Sequence, residues 1–339
     1  MIRIGIAGYG YWGPNLARAT AETGLARVEM IADRDPEALR RAAQRHPEAR
    51  LTQDIAAMIA DPAVDAVMIA TPVHTHHELA LAALMAAKHV LVEKPMADTA
   101  ARAARLVEEA ARRALVLQVD HTFIHTPAVQ AIARLIGAGE LGEIYYYDST
   151  RVNLGLFQRD VSVVWDLAVH DFAILDHLLG AAPVAISASS AGFLTDSPEN
   201  MAHLTVYYDS GAMAHLNVNW LAPVKIRQTL IGGSRRMVIY DDMQTSEKVK
   251  VYDRGASCGT NPLDRRVSYR LGDMHAPALS SKEALLSGIE DFLGCIDTGR
   301  RPVTDGESGL RVVRMLEAAT LSSRMRGIPV DIGTLKEAS

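Results

Sequence analysis

Cysteine is nearly absent: the 339 residues hold two, Cys258 and Cys295. Two thiols cannot build a disulfide framework, so a reducing compartment, the cytoplasm, is the expected location. Long apolar runs are missing too. No stretch approaches the roughly 18 unbroken apolar residues of a membrane span, and the opening MIRIGIAGYG is too short in apolar residues for a signal peptide. No excess of positive charge is present. The formal charge is −5 and the pI near 6.2, with lysines and arginines scattered along the chain, so no basic stripe invites a nucleic-acid backbone. Internal repeats and low-complexity tracts are also lacking. What remains is 49% hydrophobic and 22% charged, an ordinary globular balance on a chain long enough for two or three domains.

The run from Arg3 to Ala7 meets Gly8, and apolar runs then alternate with helical patterns to about residue 120. That is the rhythm of a parallel sheet. Strands are expected at 28–32, 66–70, 89–92 and 115–119, with helices at 13–23, 36–45, 76–87 and 98–113. Near residue 121 the texture changes. A helix is expected to open with Thr126 as cap and Pro127 as first residue. EIYYYDSTRVN (143–153) reads as strand, 162–179 as helix, and 183–252 as neighbouring strands of an antiparallel sheet. Its clearest hairpin turns at Asp209, Ser210 and Gly211. Residues 253–280 show no period and read as loop; helices at 282–296 and 306–324 close the chain. The expected architecture is α/β: a nucleotide-binding domain over 1–121, then an α+β domain over 122–339 built on an open, mainly antiparallel sheet.

Gly8, Gly10 and Gly13 form G-x-G-x-x-G directly after a strand and before a helix. The first glycine allows the tight turn, the second lets a pyrophosphate approach the backbone, and the third lets helix and strand pack closely. Asp33 ends the second strand, where a carboxylate meets ribose hydroxyls. It repels a 2'-phosphate, so NAD is favoured over NADP. Arg34 keeps NADP open, since its guanidinium can pair with a 2'-phosphate or simply face solvent.

A strand ending in HVLVEKP puts Glu93 and Lys94 at the carboxyl end of the sheet, the ligand end of open α/β folds. In VVWDLAVHDFAILDHLLG, Asp166 and His170 stand four apart and share one face of an α-helix. A metal site built on His74, His76 and His77 is disfavoured. Thr75 and Glu78 read as a capping box at a helix start, and no second ligand cluster of matching spacing exists.

Taken together, GYGYWGPN (8–15), ATPVHTHHEL (70–79), EKP (93–95) and WDLAVHD (165–171) resemble the glucose-fructose oxidoreductase, inositol dehydrogenase and MocA family (Gfo/Idh/MocA) over nearly the whole chain. VDHTFIHTPAV, RVNLGLFQRDVSVVWDLAVHD and NWLAPVKIR look most like its nucleotide-sugar 3-dehydrogenase and sugar dehydrogenase branch. The resemblance implies an N-terminal Rossmann domain, with a C-terminal sheet that carries substrate contacts and commonly a subunit interface, hence a homo-dimer or homo-tetramer. It implies Lys94, Asp166 and His170 as catalytic residues. Cofactor contacts follow at Gly8, Gly10, Tyr11, Trp12, Gly13, Asp33, Arg34, Thr71, Pro72, His76 and Glu93. Val73-His74 departs from the small or polar residues of many members.

The implied reaction moves a hydride between nicotinamide and a secondary hydroxyl or ketone of a sugar, cyclitol or aminoglycoside-type compound. His170 suits the proton carrier, Lys94 the electrostatic partner of the reacting oxygen, and Asp166 a sugar hydroxyl; Lys94 is the alternative proton carrier. His121, Arg151, Asn153 and Lys225 are expected substrate contacts, each with a structural role as its alternative. The rival class is a catalytically inactive NAD-binding sensor, which would need none of the three catalytic residues.

Overall fold

The computed structural model describes residues 1–155, 157, 161–194, 198–258 and 267–335. It divides into two compact units, Met1–Thr126 with Lys282–Arg314, and Pro127–Ser281 with Met315–Ser339.

The first unit runs β1 (Ile2–Ala7), α1 (Gly13–Glu22), β2 (Ala26–Ala32), α2 (Pro36–Arg45), β3 (Arg50–Thr52), α3 (Ile55–Ala60), β4 (Ala66–Ile69), α4 (His76–Met85), β5 (His89–Glu93), α5 (Ala100–Arg113) and β6 (Leu117–Asp120). All six strands are parallel, in the order β3-β2-β1-β4-β5-β6, which is the doubly wound dinucleotide-binding arrangement. Every residue of β4 is buried, as expected of a strand covered on both faces, and this is why it reads as an apolar run rather than an alternation. Two elements escaped the sequence reading. β3 is three residues long and two of them are Arg50 and Thr52; α3 spans six residues, started by Asp54 accepting from the Ala57 amide at 3.0 Å. Neither is long enough to show a period.

The second unit contains α6 (Pro127–Gly137), β7 (Ile144–Leu154), a π-helical turn (Val164–Ala168) leading into α7 (Val169–Leu179), and the strands β8 (Ala185–Ala191), β9 (Met201–Tyr207), β10 (Met213–Asn219), β11 (Leu221–Gly233), β12 (Met237–Asp241), β13 (Val249–Cys258) and β14 (Val267–His275). After α8 (Ala284–Thr298) and α9 (Gly306–Arg324), β15 (Val330–Asp331) completes a nine-stranded sheet ordered β14-β13-β12-β11-β7-β10-β9-β8-β15. It is antiparallel except where β10 runs alongside β7. The β9–β10 hairpin turns through Gly211 at φ +83°, a left-handed conformation suited to glycine.

Two expectations need correction. Residues 253–280 are not a loop: β13 and β14 pair antiparallel there, while 259–266 lie outside the described residues. β14 is exposed at every position, so no buried face imposes an alternation on its sequence. The boundary also differs from 121/122. It falls at Thr126/Pro127, and 282–314 return to the first unit. The reason is apolar: Leu285, Ile289, Phe292, Leu293 and Cys295 of α8 join Ile4, Ile6, Leu16 and Ile31 in one core. Among the described residues no helix is long and apolar enough to cross a membrane.

Candidate active site

The glycine turn follows β1 directly. Gly8 holds φ +91°, and a Cβ there would lie 2.6 Å from the Ala70 carbonyl oxygen; one on Gly13 would lie 2.1 Å from that of Gly8. A Cβ on Gly10 would meet nothing within 4 Å. The outer glycines are therefore demanded by packing, and the middle one presents bare backbone to open space. α1 starts at Trp12 with no side-chain cap and no acidic residue in its first turn, leaving its positive end available to an anion. Asp33 accepts from the Tyr9 amide at 2.6 Å and the Asp35 amide at 2.8 Å. Both oxygens are thereby aimed, and each keeps lone-pair capacity for a ribose hydroxyl. Gly8, Gly10, Asp33, Arg34, Thr71 and Pro72 line one cleft of about 680 Å³. Gln53, Asp54, His74 and Thr75 line it too, although the sequence reading did not assign them. These residues fit a dinucleotide.

His76 does not line that cleft. It is 1% exposed, and its ring nitrogens lie 2.9 Å from the Pro95 carbonyl and 2.7 Å from the Thr71 carbonyl. Burial lowers its pKa, against the pull of both carbonyls. The ring thus buttresses two segments, the Thr-Pro loop and the Glu-Lys-Pro loop. The capping box is also corrected. Thr75 Oγ1 pairs with Thr71 Oγ1 and the Pro72 carbonyl, and α4 begins without a side-chain cap.

At the end of β5, Glu93 sits beside Asp120 of β6 in the parallel register. Burial raises the Glu93 pKa well above the usual carboxyl range, helped by the neighbouring Asp120 charge and their mutual hydrogen bond. The two carboxyl groups share a hydrogen bond next to Lys94 in the chain. Asp120 also accepts from Trp12 Nε1 at 2.9 Å and Thr122 Oγ1 at 2.9 Å. The Trp12 indole therefore ties the glycine turn to the carboxyl pair, whereas Tyr11 is 84% exposed. Asp120 was missed from the sequence; its place at a strand end next to the Glu-Lys-Pro strand is the signal that could have found it.

His121 follows, 2% exposed, with both ring nitrogens buried and, among the described residues, lacking hydrogen-bond partners. Burial, with Lys94 and His125 adding to it against Asp120, lowers its pKa to about 4 from a reference of 6.5. Above about pH 6.5 this has no cost. As pH falls toward 4, the unfolded chain takes up a proton that the folded one refuses, and up to about 3 kcal/mol of stability is lost. Denaturant unfolding at a series of pH values below neutrality should show this slope, and His121→Phe should flatten its share; an unchanged slope in the variant would contradict the assignment.

In the second unit, Asp166 lies within the π turn and His170 on the first turn of α7, both half-buried. A continuous α-helix was expected. Instead the Val169 amide reaches back to the Val164 carbonyl, an i→i+5 bond that inserts an extra residue between the two side chains' turns. Such turns gather at functional sites. Trp165 Nε1 donates to Thr320 Oγ1 at 2.9 Å.

The secondary contacts fare unevenly. Arg151 is 6% exposed and donates through Nε to Asp171 Oδ2 at 3.0 Å, so it is part of a buried ion pair. Its Nε and Nη2 face Asp171 of α7, in keeping with the structural role given as the alternative to a substrate contact. Asn153 packs beside Gly155, where a Cβ would lie 2.8 Å from the amide nitrogen. Lys225 is exposed, in the stretch of β11 where pairing with β7 lapses between Leu221 and Ile226.

The sheet order, glycine cradle and aimed Asp33 carboxylate define a dinucleotide-binding oxidoreductase architecture. Residues 2–121 match the oxidoreductase family with NAD-binding Rossmann fold, and 129–239 match the GFO/IDH/MocA C-terminal domain. The chain belongs to the Gfo/Idh/MocA family. It is 31% identical to UDP-N-acetylglucosamine 3-dehydrogenase of Acidithiobacillus ferrooxidans, over 96% of each chain. Inositol 2-dehydrogenase of Rhizobium meliloti is 26% identical, covering 95% of this chain and 96% of its own. A solved structure of the Acidithiobacillus ferrooxidans enzyme superposes with a TM-score of 0.79 at 28% identity, over 95% of this chain and 97% of that one.

Proposed function

We propose that this protein transfers a hydride between NAD and a secondary hydroxyl or ketone of a sugar, with a nucleotide sugar at C3 the favoured substrate and NADP the alternative carrier. Nicotinamide, when bound, takes or supplies the hydride. The C–H bond of the carbinol breaks with its electron pair, and the hydroxyl proton must leave to a base. His170 takes that proton, since an imidazole can accept one and return it in the reverse direction. Lys94 holds positive charge beside the oxygen as alkoxide character develops. Asp166 holds a neighbouring hydroxyl.

The observation that carries this reading is Lys94 at the end of β5, in the same unit as the glycine cradle and next to the buried Glu93, which shares a hydrogen bond with Asp120. The names of the relatives support the sugar class, and they lend nothing to an inactive sensor. A homo-dimer or homo-tetramer is proposed with it, supported by the apolar surface that Tyr269, Leu271 and Met274 leave exposed on β14. Cytoplasmic location remains the reading drawn from the scarcity of cysteine.

The test is NADH formation over a panel of nucleotide sugars, free sugars and cyclitols. Asp33→Ala should weaken NAD more than NADP, because only the free 2'-hydroxyl loses its acceptor. No turnover on any of the three classes would overturn the activity, and equal losses for both carriers would remove the ribose assignment.

A further inference from the structure

The segment carrying Asp166 and His170 is gripped within its π turn and again just after it. Within it, the Trp165 indole bonds Thr320. After it, Asp171, fully buried, turns toward β7. There Ser149 Oγ donates to Asp171 Oδ1 at 2.7 Å, Arg151 Nε to Oδ2 at 3.0 Å and Arg151 Nη2 to Oδ1 at 3.4 Å, with the Tyr147 hydroxyl 3.5 Å from Oδ1. Tyr147, Ser149 and Arg151 alternate along β7 and so share one face of the strand. Burial, then the Asp171 charge, keeps the Tyr147 hydroxyl protonated, as a donor. Burial alone would lower the Arg151 pKa, but Asp171 outweighs it and leaves the pKa raised.

A π turn adds a residue to the helical cycle, so the phase of α7 relative to the residues before it differs from that of a continuous α-helix. His170 is the immediate chain neighbour of Asp171, so rotation of Asp171 about the helix axis moves His170 through the same angle. We infer that the Tyr147-Ser149-Arg151 face of β7, acting through Asp171, sets the rotational phase of α7 and thereby aims His170 and Asp166. Arg151 and Asp171 are positioning residues of the proposed hydride-transfer site, and neither touches substrate. This rests on the proposed function for its kinetic consequence alone.

The test compares Ser149→Ala, Arg151→Lys, Arg151→Met, Asp171→Asn and the double variant Arg151→Met/Asp171→Asn. Misaiming of a proton carrier by a fraction of an ångström to an ångström costs about 10- to 100-fold in kcat, and this is the range expected for Asp171→Asn and Arg151→Met, with KM for the sugar nearly unchanged. The double variant should be no slower than the worse single one, since each residue acts through the other. Arg151→Lys should recover part of the loss. Ser149→Ala, which removes one hydroxyl and is expected to fold, should lower kcat about 5-fold. Independently of turnover, the His170 imidazole titration followed by NMR should move by about half a pH unit in Ser149→Ala and Arg151→Lys. A raised KM at unchanged kcat in Arg151→Lys would make Arg151 a substrate contact and overturn the inference. So would multiplying effects in the double variant, or a His170 titration identical to wild type. If wild type itself turns over no sugar, the titration still decides the positioning claim.

Discussion

Lys94→Ala should reduce turnover by at least about 100-fold while the protein stays folded, the scale of losing one positioned electrostatic or proton-transfer group. The argument starts from the sheet. Lys94 leaves the carboxyl end of β5, where backbone and side chains meet ligand in open α/β folds. Its neighbour Glu93 is buried beside Asp120, which raises the Glu93 pKa well above the usual carboxyl range. A lysine placed there can lend positive potential to an oxygen acquiring negative charge during hydride transfer. Stopped-flow measurement of the hydride step would separate chemistry from product release. NAD affinity in the variant should change little. A hydride step within a few-fold of wild type, in a variant with unaltered circular dichroism, would remove Lys94 from the reaction.

Gly8→Ala should cost about 100-fold or more in NAD affinity, measured by calorimetry. Two penalties combine. The backbone sits at φ +91°, where a side chain is strained by roughly 1–3 kcal/mol. The added methyl would also fall 2.6 Å from the Ala70 carbonyl oxygen, a backbone atom of the adjacent strand end that cannot swing aside. Relief requires the turn to open by more than an ångström, which carries Gly10 and the start of α1 with it. About 2.7 kcal/mol of lost cradle geometry already amounts to a factor of 100. Gly10→Ala makes the contrast, because its Cβ strains nothing within the protein and can interfere only with a ligand. Wild-type affinity in Gly8→Ala would show that the turn does not bind the carrier.

The parts of this molecule that were legible in the sequence are those where local chemistry and position coincide. Gly8 and Gly13 are glycines because no other residue fits, and Asp33 directly follows the apolar Met30-Ile31-Ala32 end of its strand. The Thr126-Pro127 opening of α6 and the Asp209-Gly211 turn likewise carry their geometry in their residue types. What escaped depends on partners distant in the chain. Asp120 acquires meaning only beside Glu93 in the register of β5 and β6. Arg151 shows its ion pair only when Asp171 is placed across from it. The π turn leaves no periodic trace because it disturbs a single cycle. β14 hides because nothing covers it, and helix α8 gives no sign that its apolar face belongs to a core begun at Ile4.

That last arrangement bears on how the polypeptide matures on the ribosome. Synthesis delivers every strand of the parallel sheet early, but the helix that closes the hydrophobic layer beside α1 emerges only after the whole of β7 to β14. Until then Ile4, Ile6, Leu16 and Ile31 lack Ile289, Phe292 and Leu293 as counterparts, and the nascent sheet keeps an uncovered greasy flank. An amino-terminal fragment ending near residue 121 should for the same reason be sticky and chaperone-dependent, and gene fusions or truncations intended to isolate the nucleotide-binding half must carry residues 282–314 along with it.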